Sequence, residues 1–179
     1  MHTFALSAIG RDRPGIVASV TQVLVEHGVN VEDSQATILR GHFTMMLIVS
    51  APPETDEARL RADLDAAAAQ LGLEALSLLT VDELGGNVVE PSHIVSVYGA
   101  DHPGIVHSAA EALASSAANI TDMNTRLVSD GDGQEQSLYA LMIEVALTGD
   151  ESVVRDALSK VAESEGVEVT LRELEQDDL

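Results

Sequence analysis

The sequence predicts an α+β fold made of two tandem copies of one βαββαβ unit, each a four-stranded antiparallel sheet with two helices on one face. Three observations carry that prediction. The stretch Gly10-Arg11-Asp12-Arg13-Pro14-Gly15-Ile16-Val17 returns as Gly99-Ala100-Asp101-His102-Pro103-Gly104-Ile105-Val106, an offset of 89 residues. The same offset carries Asn30-Val31-Glu32-Asp33 onto Asn119-Ile120-Thr121-Asp122 without a gap. Within each copy the apolar period switches between 2 and 3.6 in the order strand, helix, strand, strand, helix, strand. Further on, Phe43-Thr44-Met45-Met46-Leu47 matches Tyr139-Ala140-Leu141-Met142-Ile143 at an offset of 96. The seven additional residues, 129–135, form a Gly/Asp cluster expected to lengthen a hairpin. The copies are expected at residues 1–84 and 93–179, joined by a linker over 85–92.

Each element has a local reason. Residues 3–9 alternate through Phe4, Leu6 and Ala8, and Ile94-Val95-Ser96-Val97-Tyr98 is rich in β-formers. Pro14 and Pro103 suit the first turn of a helix, where a missing N–H costs nothing. Ile16, Val20, Val23 and Leu24 then recur at helical spacing, as do Ile105, Ala109, Ala112 and Leu113. Gly28 stops the first of these helices. Residues 31–39 and 42–50 predict a hairpin around Arg40-Gly41, a second helix covers 56–71, and a closing strand covers 73–81. In the second copy the matching helix and strand are expected at 150–164 and 167–174. The third strand is apolar on both faces, with Phe43, Met45, Leu47 and Val49 on one and Met46 and Ile48 on the other. Helices cover only one face of such a sheet, so a second sheet is expected against the other.

Composition narrows the function classes. The chain has 30 acidic and 9 basic side chains and a net charge of −21. Binding to nucleic-acid phosphates needs clustered cations, and here one lysine, Lys160, accompanies eight scattered arginines. Direct DNA or RNA binding and docking on an anionic membrane are not expected. No apolar run approaches the roughly 20 residues that cross a bilayer, and the first residues lack a basic leader, so a cytoplasmic location is expected. The absence of cysteine excludes disulfides and thiolate chemistry. The six histidines form no dense ligand motif, and Asp130-Gly131-Asp132-Gly133-Gln134-Glu135 lacks the spacing of a calcium loop. Neither a cofactor, a metal site nor a catalytic residue is expected. The residues outside the two copies are few, so no catalytic domain is expected.

The repeated loop is the candidate site. A helix N-terminus offers free N–H donors and a positive dipole end to a carboxylate or phosphate, and Gly15 and Gly104 let backbone approach a ligand closely. Asn30 and Asn119 open strand two, expected close to the turn before the first helix, and an amide can serve both ends of a zwitterion. Two roles fit these residues on sequence alone. Asp12 and Asp101 could equally cap the helix, and Asn30 and Asn119 could equally shape a turn.

The strand, the Asp-x-Pro-Gly-Ile-Val turn, the helix, and then Gly-Val-Asn-Val or Ala-Ala-Asn-Ile resemble the ACT domain, a small regulatory module that binds amino acids. The resemblance covers both copies. The tandem arrangement is similar to the glycine cleavage system transcriptional repressor group, and to the regulatory regions of phosphoserine phosphatase and formyltetrahydrofolate deformylase. It implies a ferredoxin-like fold, pairing of ACT sheets within or between chains, and an amino-acid site at an ACT–ACT interface. Carried over, the candidate residues are Asp12, Arg13, Pro14, Gly15, Ile16, Val17 and Asn30, then Asp101, His102, Pro103, Gly104, Ile105, Val106 and Asn119. The implied function is a non-catalytic regulator that binds a small amino acid, glycine or serine first, and modulates a partner protein. Transcription regulation of amino-acid metabolism is one outlet. The alternative is a stand-alone regulatory subunit of an amino-acid-pathway enzyme such as a serine-pathway phosphatase. A homodimer is expected. The copies differ at Arg13 versus His102 and Gly28 versus Ala117, so equivalence of two sites is not assumed.

Overall fold

Period-2 alternation in the first strand and helical spacing after Gly15 give β1 (His2–Arg11) and α1 (Ile16–Glu26). They are followed by β2 (Asn30–Leu39), β3 (His42–Ala51), α2 (Glu57–Leu71) and β4 (Leu73–Val81). The computed structural model describes residues 1–81, 89–129 and 137–174, which fall into two units, Met1–Gly86 and Asn87–Leu179. The first sheet has the order β2-β3-β1-β4, antiparallel throughout. Phe4, Leu6 and Ala8 of β1 and Phe43, Met45, Leu47 and Val49 of β3 meet Ile16, Val20 and Leu24 of α1 and Leu60 and Leu64 of α2. Each large side chain so buried contributes about 1.5–3 kcal/mol, which an aliphatic core supplies without tryptophan. The other face is open. Ala5 sits across from both Ile48 and Leu79, and Leu79 and Met46 are exposed. Among these apolar groups the Ser7 and Ser77 hydroxyls pair at 2.8 Å.

The second unit repeats the plan with β5 (His93–Ala100), α3 (Ile105–Ser115), β6 (Ala118–Ser129), β7 (Ser137–Leu147), α4 (Glu151–Glu165) and β8 (Glu168–Glu173), in sheet order β6-β7-β5-β8. Val95, Val97, Leu141, Ile143 and Val145 pack under Ile105, Ala109, Leu113, Val154 and Leu158. Its helix-free face differs from the first. Ile94 is flanked there by Glu144 and Arg172, and Ser96 by Met142 and Thr170. The two sheets thus keep the same core and diverge on the face away from the helices.

The helix starts depart slightly from expectation. Asp56 and Asp150 are N-caps rather than first residues, accepting from the Arg59 N–H at 3.1 Å and the Ser152 N–H at 2.8 Å. Pro14 and Pro103 lie before their helices, not in the first turn. Gly15 at φ 98° and Gly104 at φ 115° are the last residues outside. The left-handed turn that ends α1 at Gly28 (φ 66°) is kept by Ala117 (φ 55°), where a Cβ costs roughly 1–2 kcal/mol. Residues 130–135, with the calcium-like spacing, and linker residues 85–88 lie outside the described residues.

Candidate functional site

In the first unit the loop after β1 is tied down at both ends. Arg11 is still in register with His42, and the Asp12 N–H donates to the Gly41 carbonyl at 2.9 Å. The Arg13 guanidinium donates to the Gln70 carbonyl, near the end of α2, at 3.0 Å. Gly15 is the N-cap of α1 and no side chain caps this end, so Asp12 does not act as the cap that the sequence also allowed. The first-turn N–H groups of Ile16, Val17 and Ala18 therefore point out of the helix without a side-chain acceptor, at the positive end of its dipole. Ile16 itself is a core residue, 2% exposed, so its part in any site is played by its backbone, whereas Val17 is exposed. The space about Gly15 is open, with no atom within 4 Å of where a Cβ would stand. Beside it a groove of about 590 Å³ runs between α1 and α2, lined by Ser19, Gln22, Ala67, Gln70 and Leu71 among others.

The second unit holds its loop differently. Asp101 precedes His102, whose Nε2 lies 2.9 Å from the Glu165 carbonyl and whose Nδ1 lies 3.2 Å from the Pro103 carbonyl. These two acceptors favour a ring that donates from both nitrogens. The Pro103 carbonyl and then the Glu165 carbonyl raise the His102 pKa above its ordinary value, against a smaller opposing effect of burial. The Glu165 side chain reaches the same corner, where its Oε1 accepts from the Ser108 hydroxyl at 2.6 Å. A Cβ at Gly104 would stand 3.5 Å from Glu165 Oε2. Ile105 is buried like Ile16, and Val106 is partly buried.

The asparagines are not where the sequence suggested. Asn30 is in register with Ser50, and Ser50 with Thr3, at the start of β1. The loop leaves the opposite end of that strand, on the order of 25 Å away at about 3.3 Å per residue. Because α1 runs back along β1, β2 begins level with the beginning of β1. The same holds for Asn119, in register with Ala146 beside the start of β5. Within one unit, loop and asparagine cannot touch the same small molecule.

Asn30 instead belongs to a second cluster that sequence reasoning missed. Its Nδ2 donates to Glu32 Oε1 at 3.0 Å, and the Ser50 hydroxyl donates to the same oxygen at 2.5 Å. Ser50 first, then Asn30, hold the Glu32 carboxyl below its usual range. A bulge makes this possible, since the register shifts between Val31 and Asp33 and leaves Glu32 as the extra residue. In β6 the shift recurs, but the extra residue is Thr121, whose hydroxyl donates to the Glu144 carbonyl at 3.1 Å.

Comparison with known proteins agrees with the fold. The sequence profile of the ACT domain matches residues 2–76. The UPF0237 protein of Methanopyrus kandleri is 39% identical over 77 residues, covering 42% of this chain and 86% of that protein. The chain belongs to the ACT-domain family. The phosphoserine phosphatase of Streptomyces coelicolor is 29% identical over 170 residues, which is 94% of this ACT-domain protein but 39% of the phosphatase. The crystal structure of a candidate glycine cleavage system transcriptional repressor has a TM-score of 0.74 at 18% identity, with 98% of each chain covered, and shares the tandem fold.

Among the described residues no group of three or more His, Asp or Glu side chains is placed to hold a metal ion, and no helix is long and apolar enough to cross a membrane.

Proposed function

We propose that this chain is a non-catalytic regulator that binds a small amino acid and thereby changes how it acts on a partner protein. The uncapped start of α1 supports this best, with open space at Gly15 and two cations, Arg11 and Arg13, flanking Asp12 in the turn shaped by Pro14. A ligand carboxylate there accepts from the N–H groups of Ile16 and Val17 at the positive helix end. Its ammonium needs acceptors. The Asn30 corner offers two, the amide oxygen left over once Nδ2 binds Glu32, and the Glu32 carboxylate itself. Because that corner lies at the far end of its own sheet, the halves meet when first modules of two chains pack side by side in opposite directions. A twofold axis then makes two such sites at once. The proposed assembly is a homodimer.

Glycine and serine are the first ligands to test, on the resemblance to the glycine cleavage repressor group and to phosphoserine phosphatase. Asp101, His102, Pro103, Gly104, Ile105, Val106 and Asn119 are the corresponding second set. Cytoplasmic action through a partner protein, without direct contact to nucleic acid, belongs to the same proposal, given a net charge of −21. A second reading, a regulatory unit acting on a serine-pathway phosphatase, is favoured by the similarity to the Streptomyces coelicolor enzyme over 94% of this chain. A thermal-shift screen of the twenty amino acids tests the first step, since a ligand at 100 times its Kd stabilises by about 2.7 kcal/mol. Asn30→Ala should then weaken binding with little change in melting. Affinity capture with and without the ligand separates the two partners. If no amino acid binds at millimolar concentration, the sensor reading is wrong.

A further inference from the structure

We infer that the second module takes no amino acid because its own Glu165 carboxylate stands against the turn that is open in the first; the inference rests on the ligand reading above. Both turns put a positive-φ glycine before a helix start that no side chain caps, and they differ in what stands beside that glycine. Around Gly15 a Cβ would meet nothing within 4 Å, whereas at Gly104 it would meet both Glu165 oxygens, at 3.5 and 3.9 Å. Glu165 is the last residue of α4, directly before Gly166, and its counterpart directly before Gly72 at the end of α2 is Leu71. The carboxylate is held rather than loose, with its side chain 19% exposed, Oε1 on the Ser108 hydroxyl at 2.6 Å and Oε2 3.7 Å from His102 Nδ1. In the first module the counterpart serine, Ser19, lines the open groove beside Leu71.

Charge points the same way. The first turn carries Arg11 and Arg13 about Asp12, and the second carries Ala100 and His102 about Asp101, with Glu165 added. A second carboxylate brought to that helix end meets a like charge already beside the turn. The other half of the proposed site is also changed. Glu32 and Ser50 are replaced by Thr121 and Ala146, so Asn119 has lost the carboxylate that Asn30 binds. Glu165 thus closes the second turn to a ligand carboxylate, and each chain binds one amino acid rather than two.

The test is amide NMR on the full 15N-labelled chain, titrated with glycine and separately with sodium acetate as a bare carboxylate. In the unmutated protein, saturable shifts are expected at Ile16 and Val17 and none at Ile105 and Val106. Glu165→Leu, which copies the first module, should add a saturable response at Ile105 and Val106. Glu165→Gln, which keeps a partner for Ser108 and removes the charge, should add a weaker one and guards against a folding defect in the first variant. Leu71→Glu should weaken the response at Ile16 and Val17 at least tenfold. The inference is overturned if Ile105 and Val106 respond in the unmutated protein as Ile16 and Val17 do, or stay silent to acetate in both Glu165 variants. If Ile16 and Val17 ignore every amino acid, the sensor reading fails, while acetate on the Glu165 variants still decides whether that carboxylate closes the second turn.

Discussion

Gly15→Ala isolates the backbone geometry on which the proposed site depends. At φ 98° and ψ −6° a residue with a Cβ is outside its comfortable range, yet a Cβ there meets no atom within 4 Å. The cost is therefore conformational and not steric, about 1–2 kcal/mol for holding an L side chain in the left-handed region. For a unit of this size each kcal/mol lowers Tm by roughly 4–8 °C, so the first module should melt about 4–16 °C earlier. Should the turn escape the strain by moving to negative φ, stability recovers while the N–H groups of Ile16 and Val17 swing away, and affinity falls instead. Scanning calorimetry beside calorimetric titration reads both outcomes. Gly72→Ala is the control, since its φ of 64° is also left-handed and its surroundings equally open, but it lies at the end of α2. It should lose stability by a similar mechanism and keep affinity. Gly15→Asn should recover part of the loss, because asparagine tolerates positive φ better than alanine. A Gly15→Ala protein with unchanged Tm and unchanged affinity would refute the reasoning.

Four further outcomes are expected. Gly99→Ala should destabilise by about 1–3 kcal/mol through overpacking, because its Cβ would stand 2.6 Å from Val167 Cγ1 and 3.3 Å from Val167 Cα; denaturant titration with and without Val167→Ala should show partial rescue. Glu32 has its pKa lowered by Ser50 and Asn30, so its contribution is full above the unfolded value and is lost as pH falls through the folded one. Glu32→Gln should accordingly be less stable than the unmutated protein at neutral pH, with the gap closing in acid; a pH-independent gap contradicts this. Asp56→Ala and Asp150→Ala should each cost about 1 kcal/mol in chemical denaturation, the worth of an N-cap that accepts here from the Arg59 and Ser152 N–H groups. In gel-shift assays at physiological salt DNA alone should not bind, because phosphate binding requires cationic contacts and the net charge is −21; a sub-micromolar shift would contradict that.

Several features were legible in the sequence because they are decided locally. The alternation of Phe43, Met45, Leu47 and Val49 against Met46 and Ile48 separates the helix-covered face of β3 from its open one, and burial follows that division. Gly72 and Gly166 end helices where a left-handed residue is needed, and the closing strand begins at once after Gly72 at Leu73. The duplication was equally visible, since Asp-x-Pro-Gly-Ile-Val stands in register with a later asparagine in both copies.

The site was legible in its pieces but not in its assembly. Sequence order suggested that Asn30 lies beside the turn, and the direction of α1 along β1 puts it at the far end of the sheet, level with Thr3. Glu32 gave no signal, because its partnership with Ser50 depends on a bulge that turns an otherwise ordinary strand carboxylate toward a hydroxyl 18 residues away. Glu165 reaches Ser108 across 57 residues only because the end of α4 returns to the start of α3. The sequence by itself determined the two modules, their elements and their cores, since period, caps and glycines act within a few residues of one another. Tertiary structure alone decided which turn has a carboxylate beside it, because that group comes from the far end of another helix.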